Sequence, residues 1–391
     1  MTLALEMVRS VPKYLAARAL GGKMPGILVG PTSSLRLITR TEPEPPADGW
    51  ARLAPRLSGI CGSDLATISG RSSFYFTALV SMPFVPGHEV VGTLAEDVDD
   101  LRSGQRVVID PVLSCVARGV DPVCGPCAEG SHGLCERVTG GHVSAGLQTG
   151  YCHDTSGGWS GAMIAHRAQM HPVPEAMSDR TAVMVEPMAC ALHALRRAQV
   201  SPAATVLVVG AGTVGLLTTL ALRHEVEGAR VIVVAKHPQQ VAMAKRFGAH
   251  EVVPPSEALG SIRRATRAFR LHPERTSPYL LGGVDVAFEC VGSADGLDLA
   301  LRAVRARGTV VLSGMPARAD LTPAWFRELA VVGAYSGAGC FDDALALAAE
   351  ADLGTLVTAT YPLDRWREAI DHALSAGRLG TTKVAFDPTE N

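Results

Sequence analysis

Two short segments in the first hundred residues carry side chains that could bind a transition metal. Residues 58–64 read Ser-Gly-Ile-Cys-Gly-Ser-Asp and residues 86–89 read Pro-Gly-His-Glu. Together they supply a thiolate at Cys61, an imidazole at His88 and a carboxylate at Glu89. Zinc in catalytic sites takes such donors as three protein ligands and keeps one position open. Each segment alone has a plain structural interpretation, but together they predict a catalytic zinc site.

A further carboxylate could join this metal site. Glu186 stands at the start of a predicted helix, and Pro187 follows it in the favoured first turn. An acidic residue there also stabilises the helix dipole. Because Glu186 directly precedes the predicted cofactor domain, we expect it to have a second role as a metal-site carboxylate.

Four further cysteines form a second metal signature. Cys124 and Cys127 are separated by two residues, and Cys115 and Cys135 flank them. The Cys-x2-Cys spacing places two thiolates on one tetrahedral ion, and ligation by four cysteines leaves no open position. We therefore predict a structural zinc. A redox disulfide between Cys124 and Cys127 is the weaker alternative, because two more cysteines lie within ligand range.

A glycine-rich stretch between two apolar runs is typical of a dinucleotide site. The pattern predicts a buried strand, a turn and a helix. Gly210 permits the tight turn, Gly212 lets the backbone approach a diphosphate, and Gly215 lets helix and strand pack closely. Thr213 and Val214 begin the helix, whose N-terminal N–H groups would bind the diphosphate.

The end of the next predicted strand indicates which cofactor is bound. An acidic residue there would hydrogen-bond the ribose 2′-hydroxyl and repel a 2′-phosphate, but the chain has Ala235 followed by Lys236. A missing carboxylate and an added cation favour NADP(H) over NAD(H). The alternative is that Lys236 is a solvated strand end in a cofactor-tolerant enzyme.

Length and composition limit the remaining possibilities. A chain of 391 residues suggests two domains, and a net charge of −2 gives no reason to expect a nucleic acid or an anionic membrane as partner. No apolar run is long enough to span a bilayer, and we find no signal peptide, so we expect a cytoplasmic protein. For the residues before about Gly26 we predict a helix that Pro12 interrupts. For the arginine-rich residues 261–275 we predict a helix exposed to solvent.

Strands and helices alternate repeatedly after the glycine stretch, which predicts a doubly wound parallel sheet. We expect an α/β protein with a mostly-β catalytic domain over 1–180, a cofactor domain over 181–338 and a return to the catalytic domain over 339–391. The four-cysteine lobe would occupy about 112–138.

These motifs together resemble the zinc-dependent medium-chain alcohol and polyol dehydrogenases, from Ile27 to nearly the end of the chain. The resemblance implies a GroES-like catalytic domain, an inserted Rossmann domain and an active site in the cleft between them. It also implies a homodimer or homotetramer. Members of this family place both carboxylates near zinc, so Glu89 and Glu186 compete as third ligand.

The resemblance also implies roles for residues around the zinc. Ser63 matches the hydroxyl that passes the alcohol proton onward, and Asp64 matches the acid near the ligand histidine. Lys383 resembles a basic residue near the cofactor diphosphate. Two departures stand out: residues 116–123 widen the usual cysteine spacing, and Ala66 replaces a relay histidine.

The expected reaction is hydride transfer between a secondary alcohol or polyol, or the matching ketone or aldehyde, and the nicotinamide, with zinc as Lewis acid. Ser63 would accept the alcohol proton. The alternatives are reduction of an imine or activated alkene on the same scaffold, and a non-catalytic NADP(H)-binding relative. The sequence does not specify the substrate.

Overall fold

In the computed structural model the structure describes residues 1–314, 318–337 and 339–390. The strands are β1 Thr2–Met7, β2 Leu35–Arg40, β3 Trp50–Gly59, β4 Val90–Leu94, β5 Arg106–Ile109, β6 Met163–His166, β7 Met170–Pro172, β8 Thr205–Val209, β9 Arg230–Val234, β10 Glu251–Val253, β11 Phe269–Leu271, β12 Tyr279–Leu281, β13 Val284–Glu289, β14 Val304–Leu312, β15 Ala330–Gly333, β16 Val357–Tyr361 and β17 Lys383–Phe386.

The α-helices are α1 Val11–Leu20, α2 Gly26–Val29, α3 Gly62–Ile68, α4 Gly125–Ala128, α5 Asp179–Ala182, α6 Val185–Ala198, α7 Thr213–Glu225, α8 Pro238–Arg246, α9 Ala258–Thr266, α10 Ala294–Ala303, α11 Thr322–Phe326, α12 Phe341–Glu350 and α13 Trp366–Leu379. Short 3-10 helices cover Phe74–Ala78, His132–Leu134, Arg167–Gln169, Pro255–Glu257, Leu353–Leu356 and Leu363–Arg365. Within the described residues, none of the helices is both long and apolar enough to cross a bilayer.

The chain divides into two compact units. The first combines Met1–Glu186 with the described residues after 338, and the second is Pro187–Gly337. In the first unit a seven-stranded sheet has the order β16-β17-β3-β4-β5-β7, with β6 paired to β3. Apart from the parallel pair of β16 and β17, its strands are antiparallel. This is the mostly-β, GroES-like unit predicted from the sequence.

The second unit is a parallel, doubly wound sheet with the order β10-β9-β8-β13-β14-β15. The order reverses beside β8, and ligands of such sheets bind where this reversal leaves a crevice at the carboxyl ends of the strands. Val206, Leu207 and Val208 of β8 are fully buried, as expected for a central strand covered on both faces. The predicted Rossmann architecture is confirmed.

The opening segment differs from the helix predicted there. Residues Thr2–Met7 form β1, which pairs antiparallel with β2 from Thr2 opposite Arg40 to Met7 opposite Leu35. Only Val11–Leu20 is helical, and Pro12 lies in its first turn, where no N–H is needed. Local composition suggested a helix, but pairing with a distant strand determined the conformation of the first residues.

The arginine-rich segment is also not one helix. α9 ends at Thr266, and Arg267 has a left-handed φ of 54° that terminates it. Phe269–Leu271 then forms β11, which pairs antiparallel with β12. The predicted solvated helix over 261–275 is therefore wrong in its second half.

Candidate active site

The predicted zinc ligands lie at the adjacent ends of two neighbouring strands. β3 ends at Gly59, and Cys61 immediately precedes α3. His88 and Glu89 directly precede β4, which is antiparallel to β3 with Ser58 opposite Val90. The Gly59 N–H donates to the Glu89 carbonyl over 2.9 Å, which continues the pairing to the site. The sheet register therefore brings two segments distant in sequence together.

Three donor groups converge there. One ligand atom each from Cys61, His88 and Glu89 lies within 4.8 Å of the other two. The His88 and Glu89 side chains are buried, whereas Cys61 is half-buried. A thiolate, an imidazole and a carboxylate at this separation suit a tetrahedral zinc that keeps a position for substrate. The donor set therefore fits the predicted catalytic metal.

The Asp64 carboxylate contacts two of these ligand residues, Cys61 and His88. Its Oδ2 accepts the Cys61 N–H over 3.0 Å, and its Oδ1 lies 3.5 Å from His88 Nδ1. Burial lowers the pKa of His88, but the Asp64 carboxylate and the Cys61 sulfur raise it by more, so the pKa lies well above its usual value. A carboxylate behind a ligand histidine orients the ring, which is the arrangement predicted for Asp64.

Ser63 lies on the other side of the histidine ring. Its Oγ is 3.5 Å from His88 Nε2 and 3.5 Å from the Tyr151 hydroxyl. The Tyr151 hydroxyl also donates to Asp64 Oδ1 over 3.2 Å. The structure therefore adds Tyr151 to the polar groups of the site, a residue to which the sequence analysis assigned no role. Its nearness to Ser63 depends on the fold and has no signal in the local sequence.

The Glu89 carboxylate has a second partner besides the predicted metal. The Lys383 ammonium on β17 forms an ion pair with Glu89 Oε2, and both side chains are almost wholly buried. A Cβ at Gly59 would lie 1.9 Å from Glu89 Oε2, so only glycine leaves room for this carboxylate. Burial lowers the pKa of Lys383, but Glu89, Cys61 and Glu186 together raise it above its usual value.

This contact bears on two predictions. Lys383 belongs to the catalytic unit, where it forms an ion pair with Glu89. Its predicted contact with the cofactor diphosphate stays a prediction. Glu186 is buried at the start of α6 and lies outside the group of three donors that the structure brings together.

The four lobe cysteines converge in the structure. One sulfur each from Cys115, Cys124, Cys127 and Cys135 lies within 4.8 Å of the others, and all four are buried. The Cys115 and Cys135 sulfurs are 3.6 Å apart, too far for a disulfide bond.

Main-chain amides point at these sulfurs. The N–H groups of Cys124, Glu136 and Arg137 donate to the sulfurs of Cys115, Cys124 and Cys135, each over 3.4 Å. The Glu136 N–H is the main cause that lowers the pKa of Cys124 to about 7, and the Cys127 N–H and the Cys115 and Cys127 side chains lower it further. Thiolates that accept amide hydrogen bonds suit a closed, four-cysteine zinc site.

The three fingerprint glycines meet three different constraints. Gly210 has a φ of 98°, which permits the turn after β8. A Cβ at Gly215 would lie 1.9 Å from the Gly210 carbonyl oxygen, so this position requires glycine for packing. A Cβ at Gly212 would meet nothing within 4 Å, which leaves open space before the first helical residues, Thr213 and Val214. This space is where a diphosphate is expected.

The predicted ribose site follows β9. Ala235 is buried and Lys236 is exposed. Gln240 Oε1 accepts the N–H groups of Lys236 and His237 over 3.2 and 3.3 Å, which holds this turn against α8. Neither of the two positions after β9 is a carboxylate, and the preference for NADP(H) stays a prediction.

A GroES-like unit with a zinc-type donor cluster and a Rossmann unit with a dinucleotide fingerprint define a zinc-dependent, nicotinamide-dependent dehydrogenase. Comparison with known families agrees. The alcohol dehydrogenase GroES-like domain family matches residues 47–175, and the zinc-binding dehydrogenase family matches residues 213–350.

Individual relatives extend this agreement. The chain is 32% identical over 285 residues to L-idonate 5-dehydrogenase from Vitis vinifera, covering 71% of this chain and 70% of that one. It is 32% identical over 291 residues to sorbitol dehydrogenase from Arabidopsis thaliana, covering 73% of each. A crystal structure of 2R,3R-butanediol dehydrogenase from Bacillus subtilis superposes with a TM-score of 0.73 over 100% of both chains, at 22% identity.

The chain belongs to the zinc-dependent medium-chain alcohol and polyol dehydrogenase family. The resemblance stated from the motifs is confirmed, and the protein is an enzyme of the zinc-dependent alcohol dehydrogenase class.

Proposed function

We propose that the protein transfers a hydride between a secondary alcohol or polyol, or the matching ketone or aldehyde, and a nicotinamide cofactor. The observation that carries the proposal is the convergence of Cys61, His88 and Glu89 beside the Ser63 hydroxyl. Relatives named for idonate and sorbitol support a polyol as substrate, and they do not favour an imine or alkene.

The residues around the metal site have different roles in the proposed reaction. When bound by Cys61, His88 and Glu89, zinc supplies the Lewis acidity that lowers the pKa of an alcohol. Ser63 takes the proton that the alcohol loses and gives its own hydroxyl proton to water, so that its hydroxyl stays neutral. Contacts of 3.5 Å with His88 Nε2 and with the Tyr151 hydroxyl position it. The Tyr151 hydroxyl fixes the Ser63 hydroxyl relative to Asp64.

For the third ligand we propose Glu89 rather than Glu186. Glu89 shares the group of three donors with Cys61 and His88, and Glu186 does not. Glu89→Gln should therefore reduce the catalytic zinc content much more than Glu186→Gln, measured as zinc per chain after dialysis. The reverse ranking would assign the ligand role to Glu186.

For the cofactor we propose NADP(H) over NAD(H), because Ala235 gives no carboxylate to the ribose and the exposed Lys236 adds a cation. Ala235→Asp should reduce kcat/KM for NADP(H) relative to NAD(H). If this ratio did not fall, the preference would not depend on this turn.

We propose a structural zinc on Cys115, Cys124, Cys127 and Cys135. The sulfurs converge and accept amide hydrogen bonds, and a lobe with few core residues gains stability from metal ligation.

For the assembly we propose a homodimer that pairs β15 with its copy. In the described part of the chain β15 pairs with β14 alone and forms the edge of the sheet. Val331 on β15 is 41% exposed and Trp325 just before it is 81% exposed. An open, apolar strand edge can pair with itself about a two-fold axis. Val331→Lys should convert the dimer to a monomer in light scattering, whereas Leu281→Lys on β12, a control that is also 41% exposed, should not.

The direct test of the function is a panel of secondary alcohols and polyols assayed with both cofactors. Turnover of at least one polyol by the wild type, and its loss in Cys61→Ala, supports the proposal. Full activity in Cys61→Ala would contradict it.

A further inference from the structure

Arg118 has an unusual environment inside the four-cysteine lobe. It lies in the segment 116–123, which separates Cys115 from Cys124, and it is fully buried. Each of its five N–H donors has a main-chain carbonyl partner. Nε donates to Leu113 over 3.1 Å, Nη1 to Gly140 over 2.8 Å and Val143 over 2.9 Å, and Nη2 to Ser144 over 3.2 Å and Gly146 over 2.6 Å.

These carbonyls belong to two separate parts of the lobe. Leu113 precedes the first cysteine, and residues 140–146 follow the last one. The Arg118 backbone makes the same connection, because its carbonyl accepts the His142 N–H over 2.9 Å. A Cβ at Gly141 would lie 2.1 Å from the Arg118 carbonyl oxygen, so the loop can approach this closely only with glycine there. Arg118 therefore joins the two ends of the lobe.

The segment around Arg118 is folded as a tight turn. The Arg118 N–H donates to the Ser114 carbonyl, and the Val120 N–H donates to the Cys115 carbonyl, each over 3.0 Å. This turn returns the chain towards Cys124. The eight-residue insertion between the first two cysteines, 116–123, is thus compact and keeps Cys115 with the other sulfurs.

The charge of Arg118 is also unusual. In the described part of the chain its five acceptors are all neutral carbonyls, and no carboxylate accepts a hydrogen bond from it. A buried cation is costly unless negative groups near it offset its charge. Burial lowers the pKa of Arg118, whereas electrostatic interaction with Cys152, Cys135, Cys115 and Asp154 raises it. Four thiolates around Zn²⁺ leave a net negative charge, which a nearby cation offsets.

We propose that Arg118 is a positioning residue for the four-cysteine zinc centre, in which its five hydrogen bonds hold Cys115 and Cys135 at ligand distance and its charge balances the thiolates. This inference rests on the structural zinc site proposed above. It assigns a purpose to the insertion that widens the cysteine spacing, since the insertion carries the residue that closes the lobe.

The test uses the full-length chain carrying Cys61→Ser, so that the zinc that remains bound reports on the lobe. Three further substitutions are compared in that background. Arg118→Gln removes the charge, Arg118→Lys keeps the charge with fewer donors, and Arg102→Gln is the control on an exposed arginine outside the lobe. Zinc per chain and the rate of zinc release to a chromophoric chelator are measured.

Arg118→Gln should release zinc roughly 10–100 times faster than the parent, the range typical for residues that support metal ligands. Arg118→Lys should fall between the two, and Arg102→Gln should match the parent. Release at the parental rate from folded Arg118→Gln would overturn the inference. If Arg118→Gln does not fold, Arg118→Lys replaces it, and a parental release rate for Arg118→Lys overturns the inference equally.

Cobalt(II) in place of zinc separates the role of the charge from that of packing. The sulfur-to-cobalt charge-transfer band should shift in Arg118→Gln and stay near its parental position in Arg118→Lys. Equal positions in both variants would overturn the charge-balancing role. If the Cys61→Ser parent itself holds no zinc, the four-cysteine site proposal fails, a result distinct from a failure of Arg118 alone.

Discussion

Lys383 and Glu89 form an ion pair in the interior of the catalytic unit, with side chains that are 3% and 1% exposed. Because Glu89 is also the proposed third zinc ligand, its carboxylate lies between two cations whenever zinc is bound. A buried ion pair adds little net stability, but removing one partner leaves an uncompensated buried charge. Lys383 therefore supplies a buried counter-charge beside the Glu89 carboxylate when zinc is absent.

Lys383→Met should accordingly destabilise the metal-free protein by about 3–5 kcal/mol, since it leaves Glu89 buried and unpaired. The free energy of unfolding in urea, measured after chelation of zinc, checks this value. The double variant Lys383→Met/Glu89→Met should be markedly more stable than Lys383→Met alone. Equal stability of the single and double variants would show that the buried charge is not the cause.

Gly212 and Gly215 should respond differently to the same substitution. Gly215→Ala places a Cβ against the Gly210 carbonyl, so we expect a loss of stability of about 1–3 kcal/mol. Gly212→Ala meets no protein atom, so its stability should stay within about 0.5 kcal/mol of the wild type.

Cofactor affinity should fall in Gly212→Ala, the variant whose stability should not change. Gly212→Ala should weaken dinucleotide binding, because its methyl group enters the space expected for the diphosphate. Thermal unfolding and cofactor titration together test the pair of variants. Unchanged cofactor affinity in Gly212→Ala would place the diphosphate elsewhere.

Asp110 should make stability depend on pH. Burial raises the pKa of its carboxyl to about 6, against the lowering effect of the Val112 N–H. Because the folded-state pKa exceeds the unfolded value of about 3.9, the protein gains stability from neutral Asp110 at low pH. This gain is lost as pH rises from about 4 through about 6, and amounts to about 3 kcal/mol.

Asp110→Asn removes this titration and can still accept the Val112 N–H. The variant should therefore be more stable than the wild type at pH 7, and the difference should shrink towards pH 4. Urea unfolding of both proteins after zinc removal, at several pH values, measures the difference. A difference that does not change with pH would exclude Asp110 as its source.

The Tyr151 hydroxyl should matter for turnover rather than for metal binding. Tyr151→Phe removes the hydroxyl that lies 3.5 Å from Ser63 Oγ and 3.2 Å from Asp64 Oδ1, but leaves the ring packed beside His88. We expect kcat to fall roughly 10–100-fold with zinc content unchanged. Tyr75→Phe, on an exposed tyrosine, is the matched control. Wild-type kcat in Tyr151→Phe would show that Ser63 needs no such partner.

Much of this site was readable from the sequence because it depends on local motifs. The glycine pattern at 210–215 is sufficient to predict the turn between strand and helix. The Cys-x2-Cys spacing of Cys124 and Cys127 is sufficient to predict that both thiolates can bind one ion. Cys61 and His88 could be assigned to one metal site because the two segments with metal-ligating residues precede a dinucleotide fingerprint. The fold class followed from the alternation of strands and helices.

What the sequence did not reveal depends on contacts between distant residues. Tyr151 meets Asp64 across 87 positions, and β1 forms only because β2 lies beside it. Arg118 is fully buried, but an arginine between two cysteines gives no local sign of burial in the sequence. Tertiary pairing and packing override local propensity at such positions.

We propose that Cys61, His88 and Glu89 hold the zinc at which an alcohol is oxidised. The most direct test of this proposal is zinc content and polyol-dependent NADP⁺ reduction, measured on the same preparations of wild type and Cys61→Ala. We predict two zinc ions per chain and turnover for the wild type, and one zinc and no turnover for Cys61→Ala, with cofactor binding retained. Turnover by Cys61→Ala, or two zinc ions in it, would exclude Cys61 as a ligand of the catalytic zinc.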